Sequence, residues 1–122
     1  MDNSITVNLD CLVFIDSNEI SCKLEEINER GVYLKIPKDS LTIKLGDEFQ
    51  IQAWENCRFI GNFEDSFVAL TSSILCSNIK KHKNYIELYG VFKTRSKIIS
   101  DYIHEKELLQ YKQKYKLRYC CL

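Results

Sequence analysis

From Ile5 onward the chain alternates: Ile5, Val7, Leu9, Cys11, Val13 and Ile15 are apolar, while Thr6, Asn8 and Asp10 between them are polar. Sustained matching to a period of two predicts a strand with one face in a core. Leu12 and Phe14 interrupt the polar phase, so this end is expected to be covered on both sides. Asp16-Ser17-Asn18-Glu19 has the composition of a turn. Ile20, Cys22 and Leu24 begin a return strand, and Ile27 falls out of phase with them, which predicts a bulge or the strand's end. The polar hexapeptide Glu26-Ile27-Asn28-Glu29-Arg30-Gly31 follows, and Val32, Leu34 and Ile36 then alternate with Tyr33 and Lys35. This is the pattern of a tight strand-turn-strand, with Asn28 and Gly31 supplying turn chemistry and Gly31 expected at positive φ.

Pro37-Lys38-Asp39-Ser40 ends that strand, and a crossover through Leu45-Gly46-Asp47 leads to the alternating Phe49, Ile51 and Ala53. Cys57 to Phe63 is expected to add a short strand. Val68, Leu70, Ile74 and Cys76 share one parity, as do Ile86, Leu88 and Phe92, and the polar loop Lys80-Lys81-His82-Lys83-Asn84 between them predicts a hairpin. The regime then changes. Ser96 can cap a helix, Ile98/Ile99, Tyr102/Ile103 and Leu108/Leu109 recur at helical spacing, and neither glycine nor proline occurs from Ser96 to Arg118. The order predicts a mainly β fold: a small antiparallel barrel of six or seven strands over about 5–93, plugged or flanked by a C-terminal helix over about 96–118. Closure removes exposed strand edges. The 122 residues fit one domain.

Composition narrows the class. The chain is 45% hydrophobic and 28% charged, with no apolar run of about 18 residues, so no membrane span is expected. Met1-Asp2-Asn3 lacks the basic and apolar regions of a secretory signal, and a cytoplasmic location is expected. Charge is uneven: residues 1–79 hold 6 Lys/Arg against 13 Asp/Glu, a net −7, and residues 80–122 hold 11 against 4, a net +7. Such asymmetry marks either a solvated lysine-rich helix or a basic end that meets a partner. Of the six cysteines, Cys11 and Cys22 lie on apolar phases as small hydrophobes, and Cys120-Cys121 are expected as exposed thiols. No C-x-x-C occurs and neither histidine stands at ligand spacing from a cysteine, so neither metal nor cofactor is expected.

The hexapeptide Glu26–Gly31, then Pro37 with Leu45-Gly46-Asp47, then Tyr89-Gly90-Val91-Phe92 before the helix, together resemble the PilZ domain family in order and spacing. The similarity runs over about residues 5–115. It implies a bacterial source, a barrel with a C-terminal helix, and a role around motility, pilus assembly or surface attachment. The family's usual ligand is cyclic di-GMP, gripped by an Arg-x-x-x-Arg arm and an Asp/Asn-x-Ser-x-x-Gly motif. Here residues 1–29 contain no arginine, Glu26 stands at the motif's acid, Asn28 at its serine, and only Gly31 matches outright. Forked, permanently charged donors onto guanine edges and phosphates are therefore missing. The resemblance then implies a degenerate member that acts as an adaptor through protein contacts and does not bind the dinucleotide.

Two alternatives stay open at this stage. Glu26, Asn28, Arg30 and Gly31 could form an atypical cyclic di-GMP site, or a barrel bearing Tyr33, Trp54, Phe59 and Phe63 could bind nucleic acid. Against the second, the barrel portion is acidic, the wrong sign for a phosphate-tracking groove. Catalysis is not expected, because His82 and His104 have no nucleophile at local spacing and Gly31, Gly46, Gly61 and Gly90 are isolated. Leu108, Tyr111 and Tyr115 lie off the track of Ile99 and Ile103, and are expected either to finish the core or to contact a partner chain, a second copy or another protein.

Overall fold

Period-two alternation on every strand leaves each with one apolar face, and six such faces are buried most completely by closing on themselves. In the computed structural model, which describes residues 4–38, 43–57, 66–94 and 96–119, the strands are β1 (Ile5–Ile15), β2 (Asn18–Ile27), β3 (Gly31–Pro37), β4 (Glu48–Cys57), β5 (Ser66–Lys81) and β6 (Tyr85–Phe92), followed by helix α1 (Lys97–Tyr119). They form a closed barrel in the order β1-β2-β3-β6-β5-β4, and every neighbouring pair is antiparallel. Leu9, Val13, Leu24, Leu34, Ile36, Ile51, Leu70, Ile74 and Leu88 fill the interior. Each such side chain contributes about 1.5–3 kcal/mol on leaving water.

Three bulges adjust the register, between Thr6 and Leu9 in β1, Leu24 and Glu26 in β2, and Cys76 and Asn78 in β5. The second explains Ile27: one extra residue restores it to the core face, where it is buried. The first corrects the unbroken alternation expected of β1, because Asn8 takes φ 51° and Val7 is only half-buried. The opposite end of β1 also departs from expectation. Leu12 is half-buried and Phe14 is exposed, so that end is covered on one face only.

The β1–β2 turn is just Asp16-Ser17, with φ 45° and 67°, the twist that a two-residue hairpin requires. Asn18 and Glu19 already belong to β2. In the crossover, Asp47 N donates to Lys44 O at 3.1 Å and Gly46 takes φ 86°, a type II turn whose third residue favours glycine. Gly46 N donates to Cys76 O and Cys76 N to Asp47 O, at 3.0 and 2.9 Å, which ties the crossover to β5. Ile43 joins the core from the same segment. The short strand expected over Cys57 to Phe63 begins on the last residue of β4, and residues 58–65 lie outside the described residues.

Ser96 caps α1 as its position predicts: its Oγ accepts from Ile99 N at 3.3 Å and its carbonyl from Ser100 N at 3.2 Å. Ile99, Tyr102 and Ile103 are buried in the barrel core. Ile98, expected beside them, is 61% exposed. One turn further on, Lys106 Nζ pairs with Glu55 Oε1 near the end of β4, and both side chains are largely buried. The first half of the helix is thereby fixed across the barrel end where β1 begins and β4 finishes.

Candidate functional site

The hexapeptide is a turn held by a single buried amide. Asn28 is 3% exposed, and its Oδ1 accepts from both Arg30 N and Gly31 N at 2.8 Å. Its Nδ2 donates to Ser4 Oγ at 3.1 Å, and its own backbone N donates to Gly31 O at 3.0 Å. This is asparagine mimicking a backbone turn, the chemistry for which the residue is favoured in loops. Both Oδ1 lone pairs are committed within the protein. Ser4, just ahead of β1, is a partner that local spacing could not reveal.

Gly31 is not at positive φ; among the described glycines only Gly46 is. Its reason is space. A Cβ built on Gly31 would lie 1.9 Å from the carbonyl oxygen of Gly90, 2.9 Å from its carbon and 3.0 Å from Val91 Cα. Gly31 opens β3 directly against β6, where it is in register with Val91, and Phe92 N donates to Arg30 O at 2.8 Å. The glycine lets two backbones approach, and the turn is clamped to the strand that leads into α1.

The four motif residues therefore separate. Asn28 and Gly31 are turned into the fold, while Glu26 is half-buried on the outer wall and Arg30 is exposed at the turn. Glu26 is in register with Tyr33, and Tyr33 with Tyr89, whose ring lies 4.6 Å away at 35°. The outer face beside the turn is thus a carboxylate next to two adjoining phenol rings. No cluster of three or more His, Cys, Asp or Glu residues suited to a metal occurs among the described residues. His82 is half-buried, stacked on Tyr85 at 4.4 Å, with Nε2 3.2 Å from Glu87 Oε2. His104 is exposed.

Cys11 and Cys22 face one another across β1 and β2 inside the barrel. The hydrogen bond with Cys22, followed by burial, pushes the Cys11 thiol far above its usual range. Burial, with Asp47 nearby, raises that of Cys76. These are thiols held protonated, not nucleophiles. On the distal helix Leu108 is 44% and Tyr111 58% exposed, and Leu109 is exposed beside them, so Leu108 and Tyr111 do not finish the core. Tyr115 is in α1, but its side chain lies outside the described residues, as do Phe59 and Phe63.

No protein-family model matches the chain. No curated protein matches it by sequence. Among solved structures it is similar to the Bacillus subtilis inhibitor of motility MotI/DgrA, with a TM-score of 0.59 and 14% identity over 94% of this chain. The chain spans about half the length of that structure, 50% of it. At this identity the likeness is one of fold: a closed six-stranded antiparallel barrel followed by a helix.

Proposed function

We propose that the chain is a PilZ-like regulatory module, non-catalytic, that works through protein contacts in bacterial motility, pilus or surface-attachment signalling and does not bind cyclic di-GMP. The fold it shares with an inhibitor of motility supports the setting. The state of the motif supports the loss of ligand. Residues 1–29 hold no arginine, and the Asn28 amide, which stands where the family carries a serine, is spent on the turn and on Ser4. No helix among the described residues is long and apolar enough to cross a membrane.

The observation that carries the adaptor reading is the distal helix. Once Lys106 has paired with Glu55, α1 continues to Tyr119 with Leu108, Leu109 and Tyr111 exposed. A helix of this length spans roughly 35 Å, and large apolar and tyrosine side chains left in water are the kind of area that interfaces use. The interface assigned to Leu108, Tyr111 and Tyr115 is tested by the pair Leu108→Asp/Tyr111→Asp and by removal of residues 108–122. Both should keep the melting temperature of the barrel while losing self-association in sedimentation velocity or capture of the native partner. Unfolding on truncation, or a monomer that still captures its partner, places the interface elsewhere.

A further inference from the structure

At about 3.6 residues per turn, Ile99, Tyr102, Ile103 and Lys106 fall on one side of α1, and these are the residues that meet the barrel. Asp101, His104, Leu108 and Tyr111 fall on the opposite side, and all four are exposed. They are spaced alternately three and four residues apart, as the seam positions of a two-helix coiled coil are. Tyr115 and Arg118 continue the same spacing to the end of the helix. Leu108, 44% exposed, and Tyr111, 58% exposed, are the middle of this stripe.

Charge changes sign along the stripe. Glu105 and Glu107 stand at the positions that flank its first half, and Lys112 and Lys114 at those that flank its second. The seam has the same asymmetry, with Asp101 near its start and Arg118 near its end. We propose that α1 pairs antiparallel with α1 of a second copy of this chain, about a twofold axis that sets Leu108 of each helix beside Tyr111 of the other. The proposal rests on the distal-helix reading and deepens it by naming the partner. In this register Asp101 of one helix faces Arg118 of the other, Glu105 faces Lys112, Glu107 faces Lys114, and the twofold repeats each contact. Such a surface is its own complement, which is what a twofold interface requires, and pairing uses it up, so assembly closes at two copies. Charges at the seam select direction. A parallel pair would set Asp101 against Asp101 and Arg118 against Arg118. The contacts of Ile99, Tyr102 and Ile103 with the barrel are on the opposite side of the helix and stay intact.

The test is sedimentation equilibrium on the full chain, with circular dichroism to verify the fold of each variant. The parent should pass from the mass of one chain to that of two between about 10 µM and about 1 mM, the range of a weak complex, and go no higher. Leu108→Asp/Tyr111→Asp should stay monomeric. Asp101→Arg/Glu105→Lys sets like charges against Arg118 and Lys112 of the second copy and should weaken the dimer at least about tenfold. Adding Lys112→Glu/Arg118→Glu to that same chain reverses both sides and should restore the dimer. A first pair of substitutions without effect, a fourfold variant no stronger than that pair, or a mass beyond two copies would each overturn the proposal. A parent that stays monomeric throughout overturns the second copy as partner, while the distal-helix reading still stands if Leu108→Asp/Tyr111→Asp abolishes capture of another protein. A dimer that survives Leu108→Asp/Tyr111→Asp overturns both.

Discussion

Gly31→Ala is the most informative single change in the barrel, because two explanations of that glycine give different results. Its new methyl carbon would stand 1.9 Å from the Gly90 carbonyl oxygen, roughly 1.5 Å inside ordinary contact. The obstacle is backbone in the β3–β6 ladder, not a flexible side chain, so relief requires the start of β3 to move off β6. Overpacking of this kind costs about 1–3 kcal/mol. Losing one or two hydrogen bonds at the Arg30–Phe92 clamp adds about 0.5–1.5 kcal/mol each. The total, about 1.5–6 kcal/mol, is a large share of a stability of roughly 5–15 kcal/mol, and should lower the melting temperature by about 10 °C or more. Gly46→Ala provides the contrast. Gly46 sits at φ 86° with nothing within 4 Å of an added Cβ, so it carries only the left-handed penalty of about 1–2 kcal/mol. Thermal and urea melts of the two variants should rank Gly31→Ala as clearly the worse. If Gly46→Ala is equally or more damaging, or Gly31→Ala costs under about 0.5 kcal/mol, close approach is not what Gly31 provides.

Three further outcomes follow from the same contacts. Asn28→Ala removes the acceptor of two backbone N–H groups buried in the turn and should cost about 1–3 kcal/mol in urea melts; a loss under about 0.5 kcal/mol would refute the role given to its side-chain oxygen. Lys106→Met leaves the largely buried Glu55 carboxylate unpaired and should destabilise by about 1–3 kcal/mol, while Lys93→Met, which breaks the exposed Lys93–Glu48 pair, should change stability by less than about 0.5 kcal/mol; equal effects in melts would refute the anchoring role given to Lys106. Cys11 should resist iodoacetamide in the native protein at pH 8 and react once unfolded, as read by mass spectrometry. Its thiol is raised in the fold, so the unfolded chain loses that proton first, and stability should fall as pH climbs past the ordinary thiol value of 9.0.

Much of the fold is legible in local pattern. The alternation of β1 and β4, the out-of-phase Ile27 and the Ser96 cap all report contacts that period and capping chemistry make visible. Asn28 announces its turn because its partners, Arg30 and Gly31, are two and three residues away. What stayed hidden depends on strands distant in sequence. Gly31 needs its small size because of Gly90, which only the β3–β6 register brings against it. Ile98 carries the same apolar signal as Ile99, and only the direction in which α1 meets the barrel decides that one is buried and the other exposed. The extra residue at Val7–Asn8 is silent as well, because an apolar valine falls on the expected parity whether or not the strand bulges.

The claim that this module works through protein contacts and not through the dinucleotide is tested most directly by isothermal titration of the purified full chain with cyclic di-GMP. Each missing charge-assisted donor is worth about 1.5–3 kcal/mol, so the absence of two arm arginines should weaken binding by roughly two to four powers of ten. No binding heat should appear at micromolar concentrations of the dinucleotide. A saturable isotherm with a dissociation constant below about 10 µM, a typical signalling-range value on the affinity scale, would contradict the adaptor reading and turn attention to Glu26, Arg30 and the Tyr33–Tyr89 face as an atypical binding site.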